Sequence, residues 1–276
     1  MPVSATKLSG CARACRSQVH GCRSATVRLM RLPLNEFDDD DAIVRPSPVR
    51  VNGRFPPFAV LCFFPEAIDE MQRDGELKRI GEFSAQLGGM AIYATPDQHV
   101  AVFHPGVGGP LSAHCLEQAI ASGVRAAIAV GGAGAIAPSF GKDDVLVVSA
   151  AVRDEGTSFH YVPASRLLEF DDGEVRRLVD GCVEAGLPAA AGVTWTTDAD
   201  FRETRGRTAR RREEGCVAVE MEAASLAAVA RFRAVRYGHV LYSGDDLTGD
   251  VWAERAWTGS GRRAALLRTA IELSVR

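Results

Sequence analysis

From residue 58 onward this chain alternates short runs rich in β-branched and aromatic residues with longer runs of helical period, a pattern that confines it to a sheet covered by helices. The runs at 58–64 (FAVLCFF), 89–94, 99–104, 126–130, 145–151, 192–196, 217–219 and 239–242 read as strands. Helices are expected from Pro65 and over 111–122, 173–185, 223–232 and 261–273, with Pro65 suited to a first helical position and Gly123 to closing the second helix. The expected fold class is α/β, a single domain with a central mixed β-sheet flanked by helices. At 276 residues, 46% hydrophobic and 24% charged, the composition is that of a globular chain and excludes collagen, a coiled coil and disorder throughout. The longest nearly uncharged apolar stretch, 126–140, is interrupted by glycines and falls short of the ~18 residues a membrane span needs. No membrane partner is expected.

Charge divides the chain in two. The first 35 residues hold Lys7, Arg13, Arg16, Arg23, Arg28 and Arg31 and no acid, whereas the remainder holds 26 basic against 35 acidic residues. A body nine charges negative repels a phosphate backbone, so nucleic acid is not an expected partner either. Residues 1–50 read as a disordered basic head and a solvated linker, acidic at 38–41 and broken by Pro46 and Pro48, with Met30 an alternative start. Residues 51–276 read as the folded domain, ordered from about Phe58. Cys11, Cys15 and Cys22 lie in the head, and Cys62, Cys115, Cys182 and Cys216 are scattered singly, an arrangement without paired spacing that points to a reducing, cytoplasmic setting. No Cys/His/carboxylate group has ligand spacing, so neither a metal nor an organic cofactor is expected.

Three segments could carry chemistry. The sequence GVGGP at 106–110 joins a strand to a helix, where Gly106 and Gly108 could present bare N–H groups to an anion or simply make a tight turn. Gly131 and Gly132 also follow a strand, so two strand ends expose backbone along one edge, the edge at which open α/β sheets bind ligands. At 219–224 (VEMEAA) a strand passes straight into a helix. Its two carboxylates either favour the helix N-terminus or reach a ligand at the sheet edge, where a carboxylate can accept both hydroxyls of a diol.

Taken in order, GVGGP (106–110), VGGAGAI (130–136), AAVRDEGTS (150–158), TTDADF (196–201) and VEMEAA (219–224) resemble the motifs of the nucleoside phosphorylases of the uridine phosphorylase type, a family that also includes hydrolases of methylthioadenosine and adenosine monophosphate. The resemblance runs from about Phe58 to Tyr242, and the wording of its later motifs is most like a little-characterised branch. It implies that Glu222 holds the ribose hydroxyls and that Met221 lies against the sugar, with Glu220 in support. It implies further that Phe201, with Arg202 beside it, covers the base, although Phe201 reads nearly as well as a core aromatic. Glycosidic cleavage passes through an oxocarbenium-like sugar, and a carboxylate on its hydroxyls orients the ring and stabilises the developing charge.

Departures from the family pattern concern the anion. Family phosphorylases hold phosphate with a Gly-Asp-Pro and arginine loop after the first strand and with an arginine and a threonine around the second glycine cluster; here 63–66 reads FFPE, and Ala129 and Gly132 stand at the second place. Arg153, Arg166 and Arg202 are the available substitutes, together with the backbone of Gly106, Gly108, Gly131 and Gly132. For the leaving base, purine-directed relatives use a Ser-Asp pair; the matching stretch, 243–246 (SGDD), carries an inserted glycine, so Asp245 or Asp246 could be the acid, Asp245 being preferred by position. His104 could touch the anion or a water, and His160 a ribose. The leading expectation is a nucleoside phosphorylase, an enzyme of the pentosyltransferase class that cleaves a uridine-like or purine nucleoside with phosphate as co-substrate to give free base and ribose 1-phosphate. Its rivals are a hydrolase using water in the same pocket, for which Glu66 is a poor activating base, and a nucleoside-binding protein without turnover. The family habit of pairing subunits around the site implies a homo-oligomer.

Overall fold

The computed structural model describes residues 32–84, 88–249, 251–255 and 260–276; the expectations for the basic head, its three cysteines and Met30 lie outside the described residues. The chain divides at 36/37, and on the shorter side the described residues make a single 3-10 turn at Pro33–Asn35.

In the larger unit four strands, β1 (Phe58–Cys62), β4 (Val100–Phe103), β5 (Ala126–Ala135) and β10 (Arg236–Asp246), form the parallel centre of a mixed sheet in the order β4-β1-β5-β10. Their apolar side chains are buried almost throughout, as strands covered on both faces require. Beyond β4 the sheet continues through antiparallel β3 (Met90–Ala94) and β2 (Lys78–Phe83). On the other side β10 pairs with β6 (Val145–Asp154), β6 with β8 (Ala189–Thr197) and β8 with β9 (Cys216–Glu220), and β9 returns to pair antiparallel with β5. Strands β5, β10, β6, β8 and β9 therefore close into a hydrogen-bonded ring, which removes the edges they would otherwise expose. Short strands β7 (Leu167–Glu169) and β11 (Ala253–Glu254) pair with β6 and β10.

Among the described residues six α-helices complete the unit: α1 (Pro65–Arg73), α2 (Gly109–Ala121), α3 (Asp172–Glu184), α4 (Arg205–Glu213), α5 (Ala223–Phe232) and α6 (Ser260–Ser274). Helix α1 opens on Pro65, and α3 and α4 are capped by Asp171 and Thr204, whose side chains accept from the N–H groups of Glu174 and Arg207. Helix α5 (AASLAAVARF) is buried at every position from Ala223 to Ala230, and its small residues let it lie close against α2, β6 and β10.

The α/β class with a central mixed sheet is confirmed, and each expected strand and helix is present. Two elements differ in kind. Gly131 and Gly132 lie inside β5, in register with Leu241 and Tyr242 of β10, because the ladder continues through them to Ala135. The segment before Phe58 runs along the body: Val49 donates its N–H to Ser122, Asn52 donates to Ile80, and Phe55 is buried. The four cysteines of the larger unit are free and buried. No helix among the described residues is long and apolar enough to cross a membrane.

Register decides where the sheet leaves room. Strand β1 pairs with β5 as far as Cys62 and Val130, and Phe63 adds a last bond to the Val130 carbonyl. On the same side of β5, β9 begins only at Gly134, opposite Val219. Backbone groups alternate sides along a strand, so those of Gly132 face the gap between the end of β1 and the end of β9.

Candidate active site

The loop after β4 and the turn after β9 meet at this gap. His104 follows β4, and its Nδ1 accepts the Gly106 N–H at 3.0 Å, which leaves the proton of the neutral ring on Nε2. Its ring packs edge-on against Phe63 with centroids 5.8 Å apart, and burial pulls its pKa below the ordinary histidine range. Gly106 and Gly108 both have positive φ, 81° and 93°, which is why this turn into α2 needs glycine. The turn aims the Gly108 N–H at the Glu222 carboxylate, 2.6 Å away across 114 residues of sequence.

Glu222 stands just before α5 and is only 7% exposed. Burial first, and the neighbouring Glu220 carboxyl second, push its pKa well above the usual carboxylate range. Glu220, equally buried, is fully used by the protein. One oxygen accepts from Thr196 Oγ1 at 2.6 Å, and the other accepts the N–H groups of Glu222 and Ala223 at 2.7 and 2.6 Å, the first turn of α5. Glu220 is thus the cap that fixes where Glu222 stands, and Met221 between them is half-buried. A third buried carboxylate, Glu155, accepts the Ser158 N–H and hydroxyl and, at 2.7 Å, the Ser225 hydroxyl of α5. Ser225 in turn lies against Gly109, where a Cβ would meet its Oγ at 2.4 Å. Helix α5, the 155–158 loop and the start of α2 are locked together through this contact.

The remaining expected site residues fall in three places. Arg153 is buried and engaged by its own loop: Nε donates to Ser158, Nη1 to the Pro163 carbonyl and Ser165, Nη2 to the Val162 carbonyl, and the guanidinium lies 4.0 Å from the Phe159 ring. The anion contact expected of it is not among these bonds. Arg166 pairs with Glu214 at the surface, and Phe201, 95% exposed, and Arg202 lie on an exposed 3-10 turn, Asp200–Arg202, so Phe201 is not a core aromatic. His160 lines a cleft of about 970 Å³ with His114, Tyr161 and Arg233, a cleft that neither Glu222 nor Gly108 lines. Glu66 pairs with Arg263 of α6.

Between the two aspartates the structure discriminates. The inserted Gly244 is a bulge, since the β5–β10 register shifts between Ser243 and Asp245. Asp246 is tied to Thr248 and, at 2.5 Å, to Arg255, and these bonds hold its pKa down to about 2. Asp245 instead accepts the Trp252 indole N–H at 2.9 Å and stands opposite Gly134, where a Cβ would meet its Oδ2 at 3.7 Å, Val219 at 3.1 Å and Leu247 at 2.5 Å. Glu203, Trp252, Glu155 and Ser225 were not singled out in the sequence. Glu203 follows the TTDADF motif by two residues, and that position was its one available signal. Among the described residues no group of three or more His, Cys, Asp and Glu side chains is placed to hold a metal ion.

Residues 57–272 match the family model described as the phosphorylase superfamily. The chain belongs to that superfamily. Similar relatives include the uridine phosphorylases of Haemophilus influenzae, 34% identical over 101 residues (37% of this chain, 40% of the relative), and Salmonella typhimurium, 31% identical over 155 residues (51% and 61%). A DeoD-type purine nucleoside phosphorylase of Exiguobacterium sibiricum is 29% identical over 181 residues, 63% of this chain and 76% of the relative. Among solved structures, the AMP nucleosidase of Bacteroides thetaiotaomicron superposes with a TM-score of 0.65 at 20% identity, covering 79% of this chain and 88% of that one, which shows the shared fold. The matched stretch thus spans from two fifths to three fifths of the two uridine phosphorylases. In this superfamily member the glycine turn, the capping Glu220 and the buried Glu222 form one hydrogen-bonded unit.

Proposed function

We propose that this chain cleaves the N-glycosidic bond of a nucleoside, with Glu222 accepting the ribose hydroxyls, Met221 against the sugar and Asp245 on the side of the departing base. The observation that carries the reading is the Glu222 carboxyl, buried at the gap between β1 and β9 with one oxygen on the Gly108 N–H. A buried carboxyl with a raised pKa gains most from a ligand that brings donors, and a vicinal diol brings two O–H groups and draws the group into its ionised form. The ionised form then stabilises positive charge developing on the sugar as the bond to the base lengthens.

Phosphate is the proposed nucleophile, in keeping with the phosphorylases among the relatives, and ribose 1-phosphate the product. The amide of Gly132, facing the gap, is one donor such an anion could use. A second reading, with water as nucleophile, is favoured by a specific observation: the Gly106 and Gly108 amides are engaged by His104 and Glu222, and Arg153 is engaged by residues 158–165. A homo-oligomer in the cytoplasm, as the family pattern implies, belongs to the same proposal.

Incubation with a panel of nucleosides, with and without phosphate, tests the reading. Ribose 1-phosphate formed only with phosphate supports phosphorolysis, and free ribose formed without it supports water. Saturable binding with no product would leave a binding protein and overturn cleavage. Glu222→Ala is expected to abolish turnover, and an unaffected rate would remove Glu222 from the site.

A further inference from the structure

Helix α5 is capped from outside itself. A polar side chain at the N-cap ordinarily accepts an N–H of its own first turn, at the second or third helical residue. Glu222 holds that position and makes no such bond. The N–H groups of Glu222 and Ala223 go instead to one oxygen of Glu220, and the N–H of Ala224, the second helical residue, goes to Thr196 Oγ1 at 3.0 Å. Thr196 and Glu220 are register partners on β8 and β9, and the Thr196 hydroxyl donates to the other Glu220 oxygen at 2.6 Å. A hydroxyl has one proton to give and lone pairs to accept with, and Thr196 uses both at once. With these amides taken from behind, the Glu222 carboxyl is left for the gap, where the Gly108 N–H meets it.

We infer that Thr196 is a positioning residue for the sugar site: by bridging Glu220 to the Ala224 N–H it keeps the Glu222 carboxyl off its own helix and aimed at the ribose hydroxyls, and so sets a preference for ribonucleosides over 2′-deoxynucleosides. The inference rests on the nucleoside-cleaving reading above. Without the Thr196 hydroxyl the Ala224 N–H loses its acceptor in a wholly buried place, and the group best placed to replace it is the N-cap carboxyl, Glu222 itself. A Glu222 turned back to cap α5 is lost to the diol. A carboxylate held on both hydroxyls, by contrast, discriminates against a sugar lacking one of them, because a buried oxygen is then left without its donor.

Thr194, two residues earlier on β8, provides the comparison. It is as fully buried as Thr196, but its hydroxyl reaches Glu220 and the Ala218 carbonyl only at 3.4 Å, and neither partner belongs to α5. Bonds of that length are weak. Burial near Glu220 is thus common to both threonines, and the link to the helix belongs to Thr196.

The test follows base release by the full chain from uridine and adenosine and from their 2′-deoxy counterparts, with phosphate present. Wild type is expected to favour the ribonucleosides in kcat/KM by about tenfold or more. Thr196→Val keeps the shape and removes the hydroxyl; kcat for the ribonucleosides should fall about 100-fold, more than KM rises, while the 2′-deoxynucleosides lose much less, so that the preference falls to about threefold or below. If that variant does not fold, Thr196→Ala is read in its place. Thr196→Ser should return the preference to within about threefold of wild type, and Thr194→Val should leave it unchanged even where Tm falls. A preference unaltered by Thr196→Val, not restored by Thr196→Ser, lost equally in Thr194→Val, or absent from wild type would overturn the inference with nucleoside cleavage intact. Failure of wild type to cleave any of the four substrates would overturn the reading beneath it as well.

Discussion

Gly109→Ala is the most exacting test of how the site is held together. Gly109 is the first residue of α2 and its φ is not in the left-handed region, so alanine meets no backbone penalty there; the difficulty is space. The new methyl would stand 2.4 Å from Ser225 Oγ, 3.1 Å from Ser225 Cβ and 3.0 Å from Thr157 Oγ1. Contacts below the ordinary ~3.5 Å must be relieved by moving α2 away from α5, an overpacking cost of about 1–3 kcal/mol. For a chain of this size that is a fall in Tm of about 2–12 °C. Because the same movement draws the Gly108 N–H off Glu222, KM for the nucleoside should rise as well. Ser225→Ala alone deprives the buried Glu155 carboxylate of a 2.7 Å donor, a loss of about 1–3 kcal/mol. The double variant removes the closest overlap, so its loss should fall short of the sum of the singles by about 1 kcal/mol, read from thermal and urea unfolding. Single losses that add to within about 0.5 kcal/mol would refute the claim that Ser225 is what confines Gly109.

Three further outcomes are expected. Glu220 and Glu222 have pKa values raised by burial, so the stability they allow is complete below the unfolded carboxyl value and is lost as pH rises through their folded values; Glu222→Gln should flatten the fall of Tm between pH 5 and pH 8, and an unchanged slope would contradict it. His239, buried on β10 with Nδ1 2.9 Å from the Tyr237 hydroxyl, is pushed down to about 3, so its contribution is complete above the unfolded histidine value of about 6.5 and is lost as pH falls; His239→Gln should be less sensitive to acid between pH 6.5 and pH 4 in the same assay. Arg153→Lys should lower stability by about 1–3 kcal/mol through loss of the fork on 158–165 while leaving phosphate dependence untouched, and a raised phosphate KM with normal stability would return Arg153 to the anion site.

How much of this was legible depended on the range of the interaction that decides each feature. The parallel centre announced itself because β1, β4, β5 and β10 are buried on both faces and their residues are continuously apolar. Strand β2 (KRIGEF) and helix α4 (RGRTARRRE) gave no signal. The first is an edge strand with exposed charges, and the second is held by Thr204 at its start and by Arg211, which lies over the Trp195 ring and pairs with Asp154, rather than by an apolar stripe. Gly131 and Gly132 read as a loop because glycine is a poor strand former, yet pairing with β10 carries the strand through them. A local pattern cannot reveal that a partner strand is waiting on one side while a gap opens on the other.

The site divides along the same line. Glu220 and Glu222 stood out in the sequence because two acids around a methionine at a strand-to-helix junction are incompatible with a dry core unless something pairs them. What pairs them is non-local: the Gly108 amide lies 114 residues away and Thr196 lies 24 residues away. Arg153 misled for the converse reason. An arginine inside a recognisable motif looks available to a ligand, and only its partners at 158–165 and the face of Phe159 show that the fold engages it. The choice of nucleophile turns on this point, because a buried cation committed to backbone carbonyls cannot also neutralise a phosphate without abandoning them. With Arg153 so engaged, an anion held by amide dipoles at the gap should bind weakly and with steep sensitivity to ionic strength. Tight, salt-insensitive phosphate binding by the isolated chain would show that a cation enters the gap after all.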